Sequence, residues 1–276
     1  MKLLSFLTFI VCLYSCSNIS KKDATEIVKS ALSPSLLDEI EVTFKKKDIN
    51  GCFILHDVDL DTSLIYNVFR SKQKFLPAST FKILNSLIAL ECEVVADEYE
   101  VIPWDSVERQ ISIWNRDHNM KTGIKYSVVW FYQELARRIG EDRMQAYVDS
   151  VGYGNQHIGK HVDDFWLVGD LRISPLDQVE FVKRFIKEDL PFQKENIETV
   201  KEILIEDSNE AYIFRAKTGW ADYGIPVGWY VGYIELDGKT YVFVNNIEIN
   251  SSEDARSRKE ITKEIFRAAF DIDLKI

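Results

Sequence analysis

A serine and a lysine three residues apart, Ser79 and Lys82, lie in the segment Pro77-Ala78-Ser79-Thr80-Phe81-Lys82. A serine hydroxyl is a weak nucleophile until a neighbouring group takes its proton. At this spacing on a helix the lysine shares the serine's face, so its amine can reach the hydroxyl. The amine acts as a base only where burial disfavours its charged form; Phe81 and Leu84 offer such surroundings. A helix start also presents free N–H groups that favour an anion next to Ser79. Taken alone, the pair also reads as a helix cap and a solvated lysine. Ser71-Lys72-Gln73-Lys74 repeats the spacing in a polar setting.

A second segment changes the weighing. Ala216-Lys217-Thr218-Gly219-Trp220 closes a predicted strand. A strand edge ending in glycine admits a substrate's backbone, and Lys217 and Thr218 offer a cation and a hydroxyl to a carboxylate. Lys-Thr-Gly recurs in serine enzymes that recognise β-lactams. Between the two segments lie Ser127-Val128-Val129, Tyr153-Gly154-Asn155 and Trp166-Leu167-Val168-Gly169. Each is uninformative by itself; their order along the chain is informative.

These groups need elements to hold them. Helical periodicity is expected around Ser35 to Phe44, from Ser79 through Ile88, over Ser127 to Ile139, over Ser174 to Lys187, and from Ser252 to Phe270. Ser174 and Pro175 are a cap and a first helical residue. Strands are expected over Gly51 to His56, Ser63 to Val68, Tyr212 to Thr218, Gly228 to Leu236 and Lys239 to Asn245, with Asp237-Gly238 as a hairpin turn. Strands at both ends around a helical middle imply one antiparallel sheet closed by distant segments. No internal repeat occurs.

With the five motifs in this order, the sequence resembles the class D, or oxacillinase-type, serine β-lactamases from about Gly51 to Ile265. Leu171-Arg172-Ile173-Ser174, Gln178-Val179-Glu180-Phe181 and Gly228-Trp229-Tyr230-Val231-Gly232 extend the match. The resemblance implies an α/β (α+β) β-lactamase/transpeptidase-like fold over residues 16–276, and hydrolysis of β-lactam antibiotics, hence resistance. It further implies that Ser79 forms the acyl-enzyme and that Lys82 is carboxylated by CO2 or bicarbonate to become the general base. Trp166 would donate to that carbamate, Val129 and Leu167 would keep the pocket dry, and Ser127 would relay a proton to the lactam nitrogen. Lys217, Thr218 and Gly219 would receive the substrate carboxylate with Arg258, Arg256 being the alternative cation. The N–H groups of Ser79 and Trp220 would form the oxyanion hole. Trp220 and Tyr223 are expected at the cleft entrance. No metal is implied: His157 and His161 are four apart, but Gly159 interrupts them and no third ligand is evident.

Two other function classes carry the same serine. A penicillin-binding enzyme or β-lactam sensor would keep its adduct. Transpeptidases usually show Ser-x-Asn where Val129 ends the motif here, and sensors follow several membrane helices. A non-catalytic envelope protein would not need Ser79, Lys82, Ser127, Trp166 and Lys217 together. No Ser-Asp-Asn occurs, which disfavours class A.

The 276 residues, 46% hydrophobic with 28% charged, fit one large domain or two modest ones and exclude a disordered chain. A net charge of −10 argues against nucleic acid as a partner. Lys2 followed by the apolar run Leu3 to Leu13 reads as a signal peptide over residues 1–15, too short to span a bilayer, which takes about 20 residues. Leu13-Tyr14-Ser15-Cys16 resembles a lipobox, so Cys16 is expected to carry lipid, tethering an exported, periplasmic, monomeric or homodimeric protein only by its end. Export permits a disulfide between Cys52 and Cys92, whose separation the sequence does not give.

Overall fold

The computed structural model describes residues 32–276; the expected leader and Cys16 lie outside them. Helix α1 (Pro34–Lys47) starts where Ser33 Oγ accepts from the Leu36 N–H, and it ends at Asp48 in the left-handed region. Strands β1 (Gly51–Asp57) and β2 (Thr62–Tyr66) follow as an antiparallel pair. β2 stops two residues earlier than expected. Asn67, at φ 60°, breaks the extended run, and its side chain caps the short helix α2 (Val68–Ser71).

The helical middle contains α3 (Lys82–Glu91), α4 (Met120–Lys125), α5 (Val129–Ile139), α6 (Glu141–Val151), α7 (Pro175–Ile186) and α8 (Lys194–Ile203). The chain then returns as β3 (Ile205–Ser208), β4 (Tyr212–Ala221), β5 (Val227–Leu236) and β6 (Lys239–Ile247), and ends with α9 (Ser252–Phe270). The six strands form one antiparallel sheet in the order β2-β1-β6-β5-β4-β3. β1 lies beside β6, with Phe53 opposite Asn245 and Leu55 opposite Phe243, so the two ends of the domain close one sheet as the sequence implied. The turn between β5 and β6 has Asp237 at φ 51° and Gly238 at φ 75°, the pair of positive values that a tight hairpin matched to strand twist requires.

Both faces of the sheet are covered, which explains why its central strands read as unbroken apolar runs. Every residue of β1 and the first eight of β5 are buried. On one face Phe266 of α9 meets Phe214 and Phe243 edge-on at 5.5 and 5.2 Å. On the other, Phe185 of α7 meets Tyr233 at 6.5 Å. Ser174 and Asp177 form the reciprocal cap that starts α7.

Two expected helices begin later than the sequence suggested. Ser79 sits in a 3₁₀ turn (Ala78–Phe81), and α3 starts only at Lys82. Ser127 has φ 54°, so α5 begins at Val129. Helices α6 and α8 were not expected. Their buried residues, Met144, Val148 and Val151, then Ile197, Val200 and Ile203, do keep helical spacing, but charged neighbours dilute it.

The sheet packs so closely at one glycine that it tolerates no side chain. A Cβ on Gly232 would lie 2.0 Å from the Arg215 carbonyl oxygen and 2.7 Å from Ala216 Cα. Gly232→Ala is expected to cost about 3 kcal/mol and to lower the melting temperature by roughly 6–12 °C, measured by thermal unfolding.

Candidate active site

The segment that carries Ser79 is fastened from three sides. Phe75 exchanges backbone bonds with Ile173 at 2.9 and 2.8 Å, the Ala78 N–H donates to the Trp166 carbonyl at 2.9 Å, and the Trp229 indole donates to the Leu76 carbonyl at 2.8 Å. Thr80 Oγ1 donates to the Pro77 carbonyl and accepts from the buried Gln178 amide at 2.8 Å. This clamp holds Ala78 at φ 51°, in a region that costs a non-glycine residue about 1–2 kcal/mol. The strain falls on the residue before Ser79, and such outliers concentrate at functional sites.

Lys82 Nζ lies 2.6 Å from Ser79 Oγ, and the lysine is fully buried. Burial, and secondarily the charge of Lys217, pushes the Lys82 amine well below its ordinary range, which favours its neutral form. Its surroundings are aromatic: the Tyr132 ring centroid is 5.4 Å from Nζ, and Phe81 stacks on Trp166 at 5.4 Å. Trp166 itself is fully buried, and its indole N–H has no hydrogen-bond partner. An unsatisfied buried donor is rare and costs about 1–3 kcal/mol. Phe81, next to Lys82 along the chain, stacks on the Trp166 ring, and the free donor suits an acceptor group such as a carbamate on Lys82 would present.

Lys217, on β4, is buried and lies 3.1 Å from Ser127 Oγ, 3.0 Å from the Thr218 carbonyl oxygen and 3.4 Å from the Thr218 hydroxyl. Burial lowers its ammonium to about 7, against which Glu206 acts. β3 pairs only with Ile213 to Arg215, so the later part of β4 presents a free edge. There a cleft of about 370 Å³ opens, and Ser79, Ser127, Val129, Leu167, Thr218, Gly219, Trp220 and Arg258 all line it. Arg258 Nη1 donates to the Gly219 carbonyl. Its chain passes over Gly228, where an added Cβ would come within 2.9 Å of Arg258 Cδ. Arg256 is exposed and does not line the cleft, so Arg258 is the cation in place.

Sequence reasoning missed Ile111 and Trp114, which complete the apolar wall, and Asp222 at the rim. Ile111 and Trp114 come from a loop segment with no periodicity to mark them. Tyr223, expected at the entrance, does not line the cleft and is 55% exposed; the turn presents Trp220 and Asp222 instead. Asn155 is a loop fastener: its Oδ1 accepts from the Arg172 N–H at 2.9 Å and its amide donates to the Asp170 carbonyl at 2.9 Å. Tyr153 is buried against Phe81 and Phe181. His157 and His161 are exposed, and His157 lies 3.9 Å from Asp170. Cys52 and Cys92 are both free.

Comparison with known proteins adds independent findings. Residues 24–268 match the penicillin binding protein transpeptidase domain. The chain is 42% identical over 225 residues to β-lactamase OXA-48 of Klebsiella pneumoniae, covering 81% of this chain and 85% of that one. It is 39% identical over 231 residues to the probable β-lactamase YbxI of Bacillus subtilis, covering 84% and 85%. The crystal structure of FUS-1 (OXA-85), a class D β-lactamase from Fusobacterium nucleatum subsp. polymorphum, superposes with a TM-score of 0.83 at 37% identity, covering 85% of this chain and 98% of that one.

The buried amine has a consequence for stability. Burial lowers the folded Lys82 amine below its unfolded value of 10.5, so it opposes folding wherever the unfolded lysine is protonated, neutral pH included. In bicarbonate-free buffer, Lys82→Met is expected to melt higher than the parent at neutral pH. The gain should shrink as pH rises toward 10.5, because the unfolded lysine then loses its charge as well.

Proposed function

The chain belongs to the penicillin-binding transpeptidase family and, within it, to the class D β-lactamases; from that premise we propose how its own residues open a β-lactam ring. It is a serine β-lactam hydrolase, and the reading is carried by one observation, the 2.6 Å contact between Ser79 Oγ and the fully buried amine of Lys82.

Ser79 Oγ attacks the lactam carbonyl as its proton passes toward Lys82, forming the ester bond of an acyl-enzyme. The ring C–N bond breaks, and the departing nitrogen takes the Ser127 hydroxyl proton, which Lys217 replaces across their 3.1 Å contact. Thr218 and Arg258, which line the cleft, receive the substrate carboxylate, with the Lys217 ammonium bonded just behind Ser127 and Thr218 adding its charge. The N–H groups of Ser79 and Trp220 stabilise the carbonyl oxygen as charge develops on it. Val129, Leu167, Trp114 and Ile111 supply an apolar wall that limits bulk water and suits apolar substrate side chains. Carboxylation of Lys82 by CO2, with the Trp166 indole as donor, supplies an anionic general base for both acylation and deacylation.

The same reading extends to the N-terminus: the chain is exported to the periplasm, loses residues 1–15 and carries lipid on Cys16. It works there as a monomer or homodimer.

Steady-state hydrolysis of a chromogenic cephalosporin tests the proposal. Many turnovers per enzyme are expected; a single stoichiometric burst would show a sensor or penicillin-binding protein instead. Activity should fall at mildly acid pH, where nitrogen protonation releases CO2, and bicarbonate should restore it. Trp166→Phe keeps the ring and removes the N–H, so it should raise the bicarbonate needed for half-maximal activity by about 10-fold. Lys82→Ala should accumulate a penicillin adduct on Ser79 visible by mass spectrometry, because no base remains to activate water.

A further inference from the structure

Strands β3 and β4 slip register between Ile205, opposite Arg215, and Asp207, opposite Phe214, which leaves Glu206 as an extra residue. A bulge re-aims its side chain out of the strand's alternation. Glu206 Oε2 accepts from the Tyr230 hydroxyl on β5 at 2.7 Å and from the Lys259 ammonium on α9 at 2.7 Å. β4 lies between β3 and β5, so these bonds span the strand that carries Lys217-Thr218-Gly219. They do so where Tyr230 pairs with Thr218. Lys259 also lies over the Tyr230 ring, 5.4 Å from its centroid. It lines a different cavity from the cleft, one shared with Ala216 and Glu206. Its neighbour Arg258 lines the cleft. One carboxylate thus joins three elements around the catalytic strand and engages one of α9's two adjacent cations.

The charges around Lys217 are lopsided. Lys82 on α3 and Arg258 and Lys259 on α9 are the basic groups nearby, while Ser127 and Thr218 are the hydroxyls within 3.4 Å of its ammonium. Tyr230, opposite Thr218, lies on the other face of β4. Burial, Arg258 and Lys259 all disfavour the Lys217 ammonium, and Glu206 is the carboxylate that favours it. We infer that Glu206 is a positioning residue of this active site: it holds Lys259 away from the cleft and supplies the counter-charge that keeps Lys217 ready to receive a substrate carboxylate. The inference rests on the reading of Lys217 as the carboxylate anchor.

Charge and scaffold roles predict different signs. Penicillin hydrolysis by the parent, Glu206→Gln, Lys259→Met and the double variant would be followed in bicarbonate-saturated buffer between about pH 6 and about pH 10. Glu206→Gln should move the alkaline limb of kcat/KM down by about one pH unit. Its KM should rise several-fold on that limb while kcat changes by less than about twofold. Lys259→Met removes a competing cation and leaves Glu206 in place, so it should move the limb up. The double variant should return close to the parent. An unmoved limb in Glu206→Gln, or displacement in the same direction by both single variants, would overturn the inference. A parent enzyme without turnover would overturn the functional reading itself, and this inference with it.

Discussion

The burial of the Lys82 amine, which disfavours its charge, is the constraint from which the rest of the site follows. A lysine serves as proton acceptor or CO2 acceptor only without its charge, and in water near pH 7 it keeps that charge. The fold disfavours that charge by burying the side chain completely, with the Tyr132 ring centroid 5.4 Å from Nζ and Ser79 Oγ as its hydrogen-bond partner. Enclosure in turn demands that the Trp166 segment close against the nucleophile turn. That closure depends on Gly154, where a Cβ would lie 2.2 Å from the Arg172 carbonyl oxygen, and on Asn155, which brackets Arg172 and Asp170. The Tyr153-Gly154-Asn155 motif therefore acts through packing, one step removed from the chemistry.

The sheet contributes a rigid edge in the right place. A free strand edge offers unpaired backbone groups and is ordinarily a hazard for association. Here β3 covers β4 only as far as Arg215, and the uncovered remainder forms one wall of the cleft. Both faces of the sheet are packed with aromatic side chains, which fix the position of that edge. Two residues at positive φ, Ala78 and Ser127, sit next to or at the serine hydroxyls that line the cleft. Their cost is borne because the neighbouring bonds leave the chain no relaxed alternative.

Electrostatically, the site runs against the protein as a whole. A chain of net charge −10 gathers Lys82, Lys217, Arg258 and Lys259 around one region. Burial depresses the first two, and it lowers Arg258 to about 10. Lys217 and Arg258 are held with less than their usual hydration, so each responds strongly to an anion that replaces the lost water.

Much of this was legible in the amino-acid order. The Ser79–Lys82 spacing, the Lys217-Thr218-Gly219 strand end, the cap at Ser174, the hairpin at Asp237-Gly238 and the closure of one sheet by both chain ends all follow from short-range rules of spacing and backbone conformation. The helix starts at Ser79 and Ser127 were read too early, because tertiary bonds hold those residues in turns that local propensity does not encode. Ile111, Trp114 and Asp222 carried no signal, and neither did the bulge at Glu206, since each matters only through residues distant in sequence. The choice between Arg258 and Arg256 likewise waited for α9 to dock over Gly228. Residue type and local spacing are properties of a few neighbours along the chain. The charge state of Lys82, the unpartnered Trp166 N–H and the company of Lys217 depend on which distant segments exclude water from them, and only the folded structure decides that.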